Sequence, residues 1–202
     1  MILDRAGVDA ALSALAEHLG RASESTVGLV VCGGSALEAL DLVNRTTKDI
    51  DVLALATTVG ESTLLRPAEP LPEAVVTAAA IVARDLGLHK DWLNPGPTGL
   101  LSEGLPDGLP HRLHPRQYGE KLTVHFIDRF DQICLKAYAA INGGAVYHLS
   151  DLMALDPSPD EMLSAARWCL TQDASDAFPL LVSSFVIKIG YPDVAEQLSK
   201  RD

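Results

Sequence analysis

The stretch from Val30 to Leu55 constrains the fold of this chain more than any other. It joins a short apolar run, the turn Gly33-Gly34-Ser35, a segment of helical length and a second apolar run that carries two aspartates. A strand, a glycine turn, a helix and a second strand in close succession predict an α/β unit whose central strand is covered by helices.

The two aspartates of this stretch are Asp49 and Asp51, in a run whose β-branched and apolar residues favour a strand. Because alternate strand residues share a face, we expect both carboxylates to point the same way, with Ile50 and Val52 facing the core. Two such carboxylates repel each other, and a divalent cation is their natural partner. Oxygen ligands suit magnesium, or manganese in its place. The alternative is a solvated strand end without a metal.

The glycine turn complements these acids. Glycines between a strand and a helix let backbone N–H groups approach phosphate oxygens. Ser35 is expected to cap the helix, predicted from Ser35 to about Val43, and to offer its hydroxyl to a phosphate. Arg45, Thr47 or Lys48, in the loop before the acidic strand, could contact a triphosphate. An ordinary strand–helix turn and a structural connector are the alternatives.

Composition sets the broad class. With 202 residues and 48% hydrophobic content, the chain can bury a core as one domain or two small lobes. No apolar run approaches the roughly 20 residues of a bilayer span, and the start of the chain lacks a basic signal sequence. We therefore expect a cytoplasmic protein whose three cysteines are reduced core residues. They are Cys32, Cys134 and Cys169.

The net charge of −11 argues against broad affinity for nucleic acid. A basic cluster stands at residues 111–116, followed by Lys121, and it is best explained as part of a hairpin between two strands. One helix is predicted over Val8 to Leu19, and a second is introduced by Pro70 and Pro72 and runs to about Leu86. Between that second helix and the hairpin, Trp92 either stacks on a base or packs against the preceding helix.

A second informative stretch runs from Asp128 to Leu155. A helix is predicted from Asp131 to Ile141, with Lys136 among apolar residues. This lysine either extends its amine to solvent or faces a cleft and neutralises phosphate charge. Asp151 is predicted to open the next helix, as a first-turn acid or as a functional carboxylate. The rest of the chain is predicted to be helical.

Together these motifs resemble the nucleotidyltransferase superfamily, whose signatures are a Gly-Gly or Gly-Ser turn followed by two aspartates in a strand. The string from Arg45 to Asp51, the helix with Leu135-Lys136 and the later aspartate resemble the AbiEii-like nucleotidyltransferase toxins of bacterial toxin–antitoxin systems. The resemblance implies a nucleotidyltransferase-like mixed sheet flanked by helices in residues 1–128. The helical pattern of the remaining residues, 129–202, predicts a C-terminal lobe packed on that core.

The resemblance also implies roles for individual residues. Asp49 and Asp51 would bind the metal and act in catalysis together with Lys136 and Asp151, while Asp128 competes with Asp151 for the last role. Gly34, Ser35 and Lys136 would bind the nucleoside triphosphate. From the turn and the loop themselves, Gly33 and Arg45 are expected to contact it as well.

Three functions follow from these observations. The first is a magnesium-dependent transfer of a nucleoside monophosphate to RNA, such as a tRNA 3′ end, by a toxin that an antitoxin protein restrains. The second is transfer to a small hydroxylated molecule of the aminoglycoside type, which suits the acidic surface. The third is a non-catalytic module that binds a nucleotide or a partner.

Overall fold

The computed structural model describes residues 2–22, 25–60 and 62–200. The chain divides into two compact units, Met1–Asp128 and Arg129–Asp202. Within the described ranges, no helix has both the length and the apolar character to cross a membrane.

The first unit is built on a mixed sheet, which confirms the predicted fold class at this level. Its strands are β1 Val27–Cys32, β2 Ile50–Val59, β3 Ser62–Arg66, β4 Leu93–Asn94, β5 His114–Tyr118 and β6 Leu122–Phe126. Their order is β3-β2-β1-β6-β5, with β4 paired to β2. Strand β1 runs parallel to β6 and antiparallel to β2, so the first strand is central, as predicted. Strands β2 and β4 are parallel.

The helices of this unit are α1 Arg5–Ala22, α2 Gly33–Ala39, α3 Glu73–Leu86 and the short α4 Leu100–Glu103. Helix α3 ends at the left-handed Gly87, as predicted. Helix α1 extends beyond its predicted bounds at both ends. The Asp4 carboxylate accepts the backbone N–H of Gly7 at 2.8 Å and thereby supports an earlier start. Helix α2 stops before its predicted end, near Asp41, which has a positive φ of 59°.

One face of the sheet packs on α1 and α3. The paired residues Leu29 and Leu55 face this core, as do Val31 and Val52. The pairing with β1 shifts between Val30 and Val31, which places one extra residue, Leu53, in β2. Because this bulge adds a residue to β2, the side chains of Val52 and Leu55, three positions apart, both face the same core.

The hairpin expected around the basic cluster is confirmed as β5 and β6, which pair antiparallel. Arg116 donates hydrogen bonds to the Asp9 carboxylate and to the Ala39 carbonyl, both at 2.9 Å. His114 contacts the Asp128 carboxylate at 2.9 Å. These two basic side chains are therefore engaged within the first unit.

The second unit is helical in its described part. Its helices are α5 Arg129–Ile141, α6 Val146–Ala154, α7 Pro159–Gln172, α8 Phe178–Lys188 and α9 Pro192–Ser199. Ser158 and Glu161 form the predicted capping box at the start of α7. The Tyr138 ring stands edge-on to Trp168 at 5.9 Å. The three cysteines are buried thiols that form no disulfide, as expected.

Candidate functional site

The first glycine of the turn lies directly against the carboxylate of Asp51. Cys32 pairs with Asp51 across β1 and β2, so the following residue, Gly33, reaches the acid. A Cβ at Gly33 would stand 2.4 Å from Asp51 Oδ2, and its φ of +71° is left-handed. Both the backbone conformation and the space therefore require glycine here.

The second glycine contacts the loop that leads into the acidic strand. A Cβ at Gly34 would stand 3.1 Å from Thr47 Oγ1 and 3.4 Å from Arg45 Cζ. The Thr47 hydroxyl lies 3.1 Å from the Asp49 carbonyl and 3.3 Å from its carboxylate, and both oxygens can accept its hydrogen. The turn, this loop and both aspartates thus belong to one neighbourhood, as the sequence suggested.

The two aspartates differ in backbone setting. Asp51 lies inside β2, whereas Asp49 precedes the first residue of that strand, so strand alternation does not determine its direction. Ile50 and Val52 face the core, as predicted. Asp49 instead lines a cavity of about 740 Å³ in the first unit, together with Ile2, Lys48, His89, Asp91 and Asn94.

The sequence interpretation missed Asn94. Strand β4 pairs with β2 so that Asn94 lies beside Asp51. The Asn94 amide nitrogen donates to Asp51 Oδ1 at 3.3 Å, and Asn94 Oδ1 accepts the Gly96 backbone N–H at 2.9 Å. A strand of two residues is too short to show the alternating pattern that would have identified Asn94. The sequence signal that could have identified it is a polar residue directly after two apolar residues and before Pro95.

Trp92 holds this segment in place. Its side chain is fully buried, and its indole N–H donates to the Ala79 carbonyl of α3 at 2.9 Å. Its own carbonyl accepts the Ile50 backbone N–H at 2.5 Å. The packing alternative for Trp92 is therefore confirmed, and stacking on a base is not its role.

The expected cap at Ser35 is wrong. No side chain caps the start of α2, and Ser35 is the third residue inside that helix. Its hydroxyl is fully buried and donates to the Cys32 carbonyl at 3.2 Å. The helix begins at Gly33, whose positive φ brings the chain into the first turn two residues earlier than predicted. The hydroxyl thus makes a local contact at the strand–helix junction.

The donor set is compatible with magnesium. Among the described residues, no group of three or more His, Cys, Asp or Glu side chains could hold a metal ion. Magnesium commonly binds one or two carboxylates and takes its other oxygens from water and substrate phosphates. Asp49 and Asp51 fit that pattern, because they supply the carboxylates and leave the remaining positions to a triphosphate.

Lys136 and Asp151 form a buried ion pair in the second unit. Lys136 Nζ lies 2.7 Å from Asp151 Oδ2, and their side chains are 5% and 4% exposed. The amine also lies 5.7 Å from the centre of the Tyr147 ring. Extension of Lys136 to solvent is therefore wrong, since the lysine has a carboxylate partner within the fold. The expected position of Asp151 is also wrong, because it is the sixth residue of α6 and lies beyond its first turn.

Comparison with known proteins gives no family assignment. No family model, curated protein or solved structure matches this chain.

Proposed function

We propose that this protein is a magnesium-dependent nucleotidyltransferase with a nucleotidyltransferase-like sheet. The observation that carries the proposal is the contact between Gly33 and the Asp51 carboxylate, where a Cβ would lie 2.4 Å from Oδ2. A side chain at this position would collide with the carboxylate, and glycine allows the backbone of the turn to lie directly against it. A strand acid directly beside a glycine turn is suited to a metal-bound triphosphate.

The residues of the first unit have distinct roles in this proposal. Asp49 and Asp51 hold the cation, which, when bound, supplies charge stabilisation at the reacting phosphate. Thr47 orients the Asp49 carboxylate through its hydroxyl. Lys48, on the wall of the same cavity, offsets triphosphate charge, and Arg45 does so beside Gly34. An acceptor hydroxyl then attacks the α-phosphate, and pyrophosphate leaves.

The resemblance assigns Lys136 a contact with the triphosphate and Asp151 the orientation of that lysine or activation of the acceptor. Their 2.7 Å contact in the second unit supports the coupling of this lysine to this acid. Asp128, the competing carboxylate, contacts His114 instead. This difference favours Asp151 as the partner of Lys136.

RNA, such as a tRNA 3′ end, is the acceptor that the resemblance implies, with an antitoxin as the restraining partner in the cytoplasm. A second candidate is a small cationic molecule with hydroxyl groups. A net charge of −11 favours it, as does the engagement of Arg116 and His114 by acidic partners within the first unit. The cavity beside Asp49 also carries a second acid, Asp91.

The test is transfer of label from each α-³²P-labelled ribonucleoside triphosphate, with magnesium, to total tRNA or to a panel of aminoglycosides. Asp49→Asn and Asp51→Asn are expected to abolish transfer, and both preserve side-chain size. Asp107→Asn is the matched control, because it removes an exposed acid from the same unit. We expect this control to retain wild-type activity.

The acceptor that becomes labelled decides between the two candidates. Label on RNA supports the toxin-like function, and label on an aminoglycoside supports the small-molecule enzyme. Nucleotide binding without transfer to either acceptor would contradict the enzymatic proposal and favour a non-catalytic module. Equal transfer by Asp51→Asn and the wild type would refute the site.

A further inference from the structure

Asn94 has a fixed orientation beside Asp51. Its amide oxygen accepts the Gly96 backbone N–H at 2.9 Å, and this hydrogen requires an acceptor. The nitrogen is therefore the amide atom that faces Asp51 Oδ1, 3.3 Å away. The opposite amide orientation would place two donors against each other at Gly96.

The backbone around Asn94 holds this amide in place. Strand β4 pairs Leu93 with Ile50 and Asn94 with Asp51. The residue before this pair is Trp92, whose fully buried indole is bonded to α3. The amide is thus attached to an anchored segment, and its position relative to β2 is determined by backbone hydrogen bonds.

This geometry has a consequence for metal binding that rests on the proposed function of the site. The Asn94 amide presents N–H groups to Asp51. Hydrogen atoms cannot coordinate a cation, because a metal ligand must supply a lone pair. Asn94 lines the cavity with Asp49 and contacts Asp51, so it occupies a position from which an oxygen could complete a three-oxygen set. The chain instead places a hydrogen-bond donor there.

We propose that Asn94 is a positioning residue that also sets metal affinity. Its amide orients the Asp51 carboxylate and limits the protein's contribution to divalent-cation binding at this site to two carboxylates. Free cation is consequently bound weakly, and the oxygens of a triphosphate complete the coordination. Asn94 therefore makes metal occupancy depend on substrate.

The test measures binding of free Mn²⁺, followed by the electron paramagnetic resonance signal of the unbound ion, without nucleotide or acceptor. Asn94→Asp exchanges the N–H donor for a carboxylate oxygen of the same size. It is expected to tighten Mn²⁺ binding on the order of tenfold, because ligand charge count tunes affinity. Asn94→Ala removes the orienting hydrogen bond, and we expect binding about tenfold weaker.

The matched control is Asn142→Asp, which adds the same charge at an exposed asparagine in the second unit. It should leave Mn²⁺ affinity unchanged. Circular dichroism establishes that each variant is folded, and Asn94→Ala alone still tests the positioning role if Asn94→Asp does not fold. Equal affinity in Asn94→Asp, Asn94→Ala and the wild type would overturn the inference.

The readout separates this inference from the proposed function. Opposite shifts of Mn²⁺ affinity in the two Asn94 variants, with no transfer by the wild type, would support the role of Asn94 and refute the enzymatic activity. Transfer by the wild type with unchanged Mn²⁺ affinity in both variants would support the activity and refute the role of Asn94.

Discussion

Replacing Lys136 by methionine should strongly destabilise the second unit. The substitution keeps most of the side-chain volume and removes the charge that faces Asp151 at 2.7 Å. At an effective dielectric constant of about 20, that distance corresponds to roughly 6 kcal/mol of attraction. The substitution leaves a carboxylate that is only 4% exposed without its cation. We therefore expect the free energy of unfolding to fall by about 3–5 kcal/mol.

The double variant Lys136→Met/Asp151→Leu should recover most of this loss, because both buried charges are then absent. We expect its stability within about 1 kcal/mol of the wild type. Lys188→Met, at an exposed lysine on α8, is the matched control and should change stability by less than about 1 kcal/mol.

The two tryptophans allow each unit to be followed separately. Trp92 lies in the first unit and Trp168 in the second. Urea titration of protein labelled with 5-fluorotryptophan, read by ¹⁹F nuclear magnetic resonance, gives one signal for each. The Trp168 transition should move to lower urea in Lys136→Met and return in the double variant. A single variant as stable as the wild type, or a double variant as unstable as the single, would refute this account of the pair.

Three further outcomes are expected. Gly33→Ala should reduce Mn²⁺ binding and transfer at least about tenfold, because its Cβ would lie 2.4 Å from Asp51 Oδ2. Gly20→Ala, whose Cβ would meet no atom within 4 Å, should leave both unchanged. Burial lowers the pKa of His125 from its usual 6.5, so the unfolded chain binds more protons below that pH. Stability measured by urea titration should therefore fall as pH decreases below about 6.5, and His125→Gln should show a smaller fall; equal slopes would contradict the assignment. All three cysteines are buried, and burial raises the pKa of the Cys169 thiol to about 12. The native protein should therefore react slowly with Ellman's reagent, and three thiols should react after unfolding in urea. A rapid native reaction would show that at least one thiol is accessible among Cys32, Cys134 and Cys169.

Local signals predicted the elements that depend on local chemistry. The left-handed Gly87 ends α3, and the capping box of Ser158 and Glu161 starts α7, because each signal acts within a few residues of the chain. The antiparallel hairpin of β5 and β6 belongs to the same class. Such features can be predicted from sequence because their partners are sequence neighbours.

The missed features depend on distant pairing. In the sequence, Leu53 is one of several consecutive apolar residues of the predicted strand. Only the pairing of β2 with β1 shows that it is the extra residue of a bulge. Asn94 contacts an acid that is 43 positions away. Lys136 and Asp151 lie on different helices, so their pairing depends on how α5 and α6 pack. The sequence therefore predicted that the acids and the glycine turn lie together, but it did not predict the contact of Asn94 with Asp51.

The beginning of the chain is joined to the same neighbourhood. Leu3 and Thr47 form an antiparallel bridge through two backbone hydrogen bonds of 2.7 and 2.8 Å, and Ile2 lines the cavity beside Asp49. An affinity tag fused ahead of Ile2 would therefore extend from the protein at a point beside this cavity. A histidine tag there could compete for the divalent ion under assay, so its enzymatic removal before metal titration is part of a sound biochemical preparation.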